Sequence, residues 1–493
     1  MDSTEYVFKN AVIDLSNGTS LRKVHFITMT ADDNTSLNFS VIIDSTSVTS
    51  DALYIDTDTS SIITPTTRLN LGFVCIKDKE YTEDTKRDIR LKVLNGKVEF
   101  AENQEMMIVT NKFLYNIIAV SENDESGLVQ DIKIETSSAS NGDSLNTLNR
   151  SEGKRSFFIS EVNNKYVYNV NNNLNNMGTG VFNVRGCGPE ISILSAFKDK
   201  KYSLFKIEGN AVNFTLSDLT VDCAKAADDG SVINTKSNSA TINMSNVIFR
   251  SNQATSKGGV IYAEAGLIRG NNVNFINNRA SSGGAICIAG DSTTLTFNNV
   301  NFRNNVATSS GGAIYMAGGE LNIYTSSGKT TEFSGNTASG NSNALHLANG
   351  AKINFRGSGI VNMYDAITSE GRDAVISIFN NGEFNLECRR AESRISNLNI
   401  KGNSIFNLGE NTPLIVDNLT MLERSQFNAA RGNKLQVFNL NIRGGSRFNL
   451  RENTSLIIAD NLILSERSQL NAVGNTNLDI AKFNINDHSI VNL

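Results

Sequence analysis

The sequence predicts an all-β chain wound as a right-handed parallel β-helix, with three short strands per coil and a β-rich N-terminal region. Three observations carry that expectation. A pentapeptide S-x-Φ-N-Φ, with Φ apolar, returns every 21 or 22 residues near the C-terminus. Apolar residues inside each of those periods come in pairs two apart. A second, longer repeat with its own motifs fills the middle of the chain.

The pentapeptide begins at Ser404, Ser425, Ser446, Ser468 and Ser489, and weaker copies place Asn362 and Asn385 in the same series as Asn407, Asn428, Asn449, Asn471 and Asn492. A fixed period of this size is the mark of a stacked repeat. One period holds the pairs Phe448 and Leu450, Leu456 and Ile458, Leu462 and Leu464. Alternate residues of a strand share a face, so each pair is a short strand with two side chains inward. The odd offset from Val437 to Leu440 reverses that phase and demands a corner between the second and third strands. Asn411, Gly432, Asn453 and Asn475 fall at another corner, where positive φ is tolerated at low cost by Asn and Gly. The central Asn of each pentapeptide lies between two inward residues, which predicts an external amide ladder. A leucine-rich repeat has a similar period, but no window shows its L-x-x-L-x-L spacing followed by a helical stretch.

From about Asn210 to Gly350 the coils are longer and carry two phased motifs. F-x-x-N occurs at Phe249–Asn252, Phe275–Asn278, Phe302–Asn305 and Phe333–Asn336; G-G-[AV]-I follows at Gly258–Ile261, Gly283–Ile286 and Gly311–Ile314, degenerating to Ser342-Asn343-Ala344-Leu345. The Phe is expected to fill the coil, the Asn to cap or stack at a corner, and the Gly pair to turn where a Cβ would clash. Phosphate-binding loops need G-x-x-x-x-G-K-[ST] or G-x-G-x-x-G between a strand and a helix, so these glycines read as structural. The organisation expected is a β-rich region over 1–150, a cap and irregular coils over 151–365, and regular coils over 366–493. Ser137 to Lys154 reads as a linker and Tyr166 to Phe182 as the cap over the first strand edge.

The paired F-x-x-N and G-G-A-[ILV] motifs, between about Val247 and Leu347, resemble the passenger domains of chlamydial-type polymorphic outer membrane proteins, which are autotransporters with a pectin-lyase-like β-helix. The resemblance implies display at the cell surface or outer membrane, or secretion, export through a C-terminal translocator barrel, and adhesion to a host-cell or surface receptor, protein or glycan. A filament or phage-fibre component is the structural alternative, with self-association through strand edges and amide-rich faces.

Composition narrows the partners. With 45 basic and 50 acidic residues, a formal charge of −5 and no long basic run, nucleic acid is not an expected partner. Residues 1–30 lack a signal-peptide pattern and no segment reaches the roughly 18 apolar residues of a membrane helix, so the membrane enters only through a barrel outside this chain. The chain stops within a repeat, and the gene product is expected to continue. Cys75, Cys187, Cys223, Cys287 and Cys388 are scattered without metal-ligand spacing and read as free thiols, with a Cys187–Cys223 disulfide as the alternative. No catalytic, cofactor-binding or metal residue is assigned. The enzymatic alternative is a polysaccharide lyase or hydrolase, which needs paired carboxylates or a calcium cluster beside a base. The nearest group is Asp218, Asp222, Asp228 and Asp229 with Lys225, read as a solvated loop. His25, His346 and His488 lie in unrelated regions and read as surface or turn residues.

Overall fold

A computed structural model describes residues 203–209, 211–348 and 350–493, with short stretches between 180 and 194. The expectations for residues 1–150, for the linker and for the cap up to residue 179 lie outside these residues, as do His25, Cys75 and Cys187. Two compact units are present, the larger one comprising 173–178, 196–214 and 221–493. The following describes the larger unit.

No helix occurs among the described residues, and the strands form a parallel β-helix. In the regular coils the first side is the pentapeptide strand, as in Ile405–Leu408, Gln426–Ala429, Arg447–Leu450 and Gln469–Ala472, each paired in parallel and in register with the next. The second and third sides are one bent strand, as in Leu414–Met421, Lys434–Ile442 and Ser455–Leu464. Within Lys434–Ile442, Leu435 and Val437 point inward, Phe438 and Asn439 both face out, and Leu440 and Ile442 point inward again. That double outward step is the predicted corner, and it lets the ladder continue without a break.

The central coils place their tight corner elsewhere. Thr241–Arg250, Leu267–Ile276 and Thr294–Arg303 each join the third side of one coil to the first side of the next, bending at Asn246, Asn272 and Asn299 with φ of 53°, 52° and 54°. The second side is then the separate strand Ile261–Ala263, Ile286–Ile288 or Ile314–Met316, which starts on the G-G-[AV]-I motif. A fourth short strand precedes it, at Gln253–Ala254, Arg279–Ser282 and Val306–Ser310, so these coils carry four strands rather than three. Ala226, Ala254 and Ala280 form a small buried cluster along that extra ladder.

Register turns the interior into columns. Phe249, Phe275, Phe302 and Phe333 stack at centroid distances of 5.2, 4.9 and 4.8 Å. Phe384, Phe406, Phe427 and Phe448 continue the same plan at 5.4, 5.0 and 4.6 Å. Each stacked pair adds about 0.5–1.5 kcal/mol to the burial of its rings. The F-x-x-N asparagines are fully buried and make a second column inside the corner. Asn252 donates its backbone N–H and its Nδ2 to Oδ1 of Asn278, both at 3.0 Å, and the pattern repeats from Asn278 to Asn305 and from Asn305 to Asn336. The last pair of donors, from Asn336, falls on Asp365 Oδ2 at 2.9 and 2.8 Å. Asp365 thus closes the ladder where the central coils hand over to the regular ones.

The glycine pairs behave as expected. Gly258, Gly283 and Gly311 have φ of 65°, 63° and 64°, and a Cβ on Gly284 would lie 2.1 Å from the carbonyl oxygen of Gly312. At the predicted corner Asn411, Gly432 and Asn453 do take positive φ, but in the following coil Gly474 does so in place of Asn475. The corner after the third side holds two such residues in a row, including Glu423-Arg424 and Glu466-Arg467. Turn propensity gives no hint of these, because a bulky L residue in this region costs roughly 1–2 kcal/mol.

Candidate functional site: the outward rows of the coils

In-register stacking converts each outward position into a row with one side chain per coil. The predicted amide ladder is such a row. Asn385 donates Nδ2 to Oδ1 of Asn362 at 2.9 Å, and the chain of bonds runs through Asn407, Asn428, Asn449 and Asn471 to Asn492 at 2.8, 2.9, 2.8, 2.8 and 2.6 Å. A second ladder, at the corner between the second and third sides, joins Asn418 to Asn397 and Asn439 to Asn418, both at 3.0 Å. Its signal in the sequence is a recurring Asn-Leu, at Asn397, Asn418, Asn439 and Asn461, which the S-x-Φ-N-Φ period does not contain.

The acidic group has local partners. Asp218 pairs with Arg185 at 3.0 Å, Asp222 with Arg250 at 2.7 Å, and Asp229 Oδ1 accepts the backbone N–H of Lys257 at 2.8 Å. Asp228 is exposed. Glu332, another acid on the outer surface, accepts from Ser334 and Arg303, and these bonds outweigh its burial and hold its carboxyl below the usual range. Among the described residues no group of three or more His, Cys, Asp and Glu side chains is arranged to hold a metal ion.

His346 is more engaged than a turn residue. It stands on the second-side strand Leu345–Leu347, its ring stacked on Tyr315 at 5.5 Å. Nδ1 meets Thr368 Oγ1 and Nε2 meets Glu370 Oε1, both at 2.9 Å. His346 therefore ties two coils together. His488 is exposed in a positive-φ turn, as expected.

Along the same row as His346 lie Tyr262, Cys287 and Tyr315. Burial pushes the Cys287 thiol up to about 12 and makes it inert at neutral pH. Burial, aided by a 2.8 Å bond to Glu264, also raises the Tyr262 hydroxyl. Cys223 is a free thiol that donates to Asp222 Oδ1, and Cys287 and Cys388 are free as well.

Three stretches of the central coils, 246–264, 272–289 and 299–317, each run from the Asn corner through the stacked Phe and the interior Asn to the Gly-pair strand. These are Chlamydia polymorphic membrane protein repeats. The fourth coil, in which Ser342-Asn343 stands in place of the Gly pair, is not among the matched stretches. Asn343 Oδ1 accepts the N–H of Gly311 there, where in the preceding coils the carbonyl oxygens of Ser282 and Ser310 accept from Gly258 and Gly283. The repeats point to a protein of the outer membrane or cell surface, built like the passenger of a polymorphic membrane protein. No curated protein and no solved structure matches the chain.

Proposed function

We propose that the chain is the surface-displayed passenger of a polymorphic-membrane-protein-like autotransporter, a non-catalytic adhesin that binds a host-cell or surface receptor with its outward rows. The observation that carries this reading is the three matched repeats continuing, in one parallel stack, into regular coils that carry rows of neutral amides on their outer side. Rows repeated every 4.8 Å or so suit a partner that is itself extended. Asp218, Asp222, Asp229 and Glu332 are each held by a neighbouring side chain or backbone N–H, which favours binding over acid–base chemistry at these positions. Export through a downstream barrel follows from the same resemblance.

The test is adhesion of beads coated with the full chain to cultured epithelial cells. Beads are expected to bind at least several-fold above albumin-coated beads, with competition by the soluble chain. Equal binding of both kinds of bead, or release of unsaturated sugars from a pectin-like substrate by the purified chain, overturns the reading.

A further inference from the structure

One outward row differs from the amide ladders in its chemistry. At the end of the third side the register runs from Tyr324 to Arg356, then to Phe379, Lys401, Leu422 and Arg443 in successive coils. Cations therefore alternate with apolar side chains. The three cations share a tetrapeptide, N-Φ-[KR]-G, at Asn354–Gly357, Asn399–Gly402 and Asn441–Gly444. The intervals between them, 45 and 42 residues, each correspond to two coils.

The side chains lie along the surface instead of projecting from it. Arg356 sits between two rings, 4.9 Å from the centroid of Phe379 and 6.0 Å from that of Tyr324, and Lys401 Nζ lies 5.8 Å from Phe379 on its other side. All six are intermediate in exposure except Tyr324, which is exposed. Among the described residues none of the three cations has a carboxylate within ion-pair distance. Arg443 bonds only the neutral Asn441 Oδ1, at 2.8 Å. This is an unneutralised positive row on a chain of net negative charge.

Its spacing selects a ligand. Cations two coils apart recur at about 9.6 Å, and the three span about 19 Å. The residue after each cation is a glycine with positive φ, Gly357, Gly402 or Gly444, whereas Phe379 and Leu422 in the intervening coils are followed by Asn380 and Glu423. An anionic group at every coil would find no cation at Phe379 or Leu422 and would stand beside Glu423 in the coil of Leu422; one at every second coil would meet a cation each time. In an extended glycan with one acid group per two sugars, the acid groups recur at twice the length of one pyranose, which matches two coil spacings. We infer that the row Arg356–Phe379–Lys401–Leu422–Arg443 binds a linear polysaccharide carrying one carboxylate per disaccharide. Each carboxylate lies over a cation, and the alternate sugar ring packs on Phe379 or Leu422.

The inference deepens the adhesin reading and rests on it for its biological sense, but its test needs no cells. The probe is hyaluronan, cut to defined lengths and titrated against the full chain at physiological salt. Affinity is expected to rise up to the hexasaccharide, which supplies one carboxylate for each cation, and then to level off. Lys401→Gln and Arg443→Gln are each expected to weaken binding about five-fold, the effect of one exposed charge contact. Lys482→Ala, whose lysine pairs with Asp460 on another corner, is expected to change nothing. No binding of hyaluronan at millimolar concentration overturns the inference. So does equal binding of neutral chitin fragments, of fully sulfated heparin or of single-stranded DNA, or full affinity in both variants. If the variants lose hyaluronan but beads still adhere to cells, the adhesin uses another row; if hyaluronan binds but beads do not adhere, the row stands and the adhesin reading falls.

Discussion

Replacing Asn305 by Ala tests whether the interior amide column holds the central coils. Asn305 Oδ1 accepts both the backbone N–H and the Nδ2 of Asn278, at 3.0 and 2.9 Å, and its own Nδ2 donates to Phe275 O at 3.0 Å and to Asn336 Oδ1 at 2.9 Å. Both neighbours are fully buried, so water cannot replace the lost acceptor. Two orphaned donors at about 1–3 kcal/mol each give roughly 2–6 kcal/mol, before any cavity is counted. Asn428→Ala removes the same side chain from the external ladder. It breaks two amide bonds, at 2.9 and 2.8 Å, but leaves groups that solvent reaches. Its expected cost is about 0.5–1.5 kcal/mol. The assay is thermal and urea unfolding of both variants followed by circular dichroism, with hydrogen exchange to locate the loss. Asn305→Ala is expected to lower the midpoint by several degrees more, and to raise exchange in the coils around Phe275 and Phe302. Equal shifts in the two variants would refute the claim that the buried column is the stronger.

Two further outcomes follow from the geometry. Burial raises the Asp365 carboxyl even though Asn336 and Ser342 donate to it, so its contribution to stability is fully present below the unfolded carboxyl range and is lost as pH rises through the folded one. Relative to Asp365→Asn, the native chain is therefore expected to lose stability as pH rises above the ordinary carboxylate range, measured by urea midpoints at each pH; a gap that stays constant or moves the other way contradicts the assignment. Gly284→Ala puts a methyl 2.1 Å from the Gly312 carbonyl oxygen, with Val306 backbone atoms 2.7 and 2.8 Å away, whereas a Cβ on Gly340 meets nothing within 4 Å. The first substitution is expected to destabilise by about 3 kcal/mol or more and the second by about 1 kcal/mol from backbone strain alone, and comparable melting points for the two variants would remove the close-approach argument.

Much of the architecture was legible because stacking imposes a period that one chain must carry in every coil. The inward pairs, the corner at Val437 to Leu440 and the external ladder from Asn362 to Asn492 all come from counting residues, since side chains two apart share a face and like residues recur at like heights. F-x-x-N and G-G-[AV]-I were legible as paired motifs for the same reason. Counting did not reveal where the tight corner lies, because a bent strand and two separate strands bury the same alternation. In the central coils the bend sits at Asn246, Asn272 and Asn299, and only the hydrogen-bonded register shows it.

The candidate binding row was the least legible part. Arg356, Lys401 and Arg443 lie 45 and 42 residues apart, unequal intervals that no single period links, and their motif N-Φ-[KR]-G is short enough to pass unnoticed. What made them neighbours was coil length: winding absorbs an extra residue at a corner, as Ser455–Leu464 absorbs one against Lys434–Ile442, and returns the next strand to register. Local alternation and turn chemistry are enough to make the chain stack coils around an apolar column, and both are written in consecutive residues. Which distant side chains share an outward row is fixed by the folded stack alone, because rows are made by inter-coil hydrogen bonds whose register is set by the sum of every corner between them.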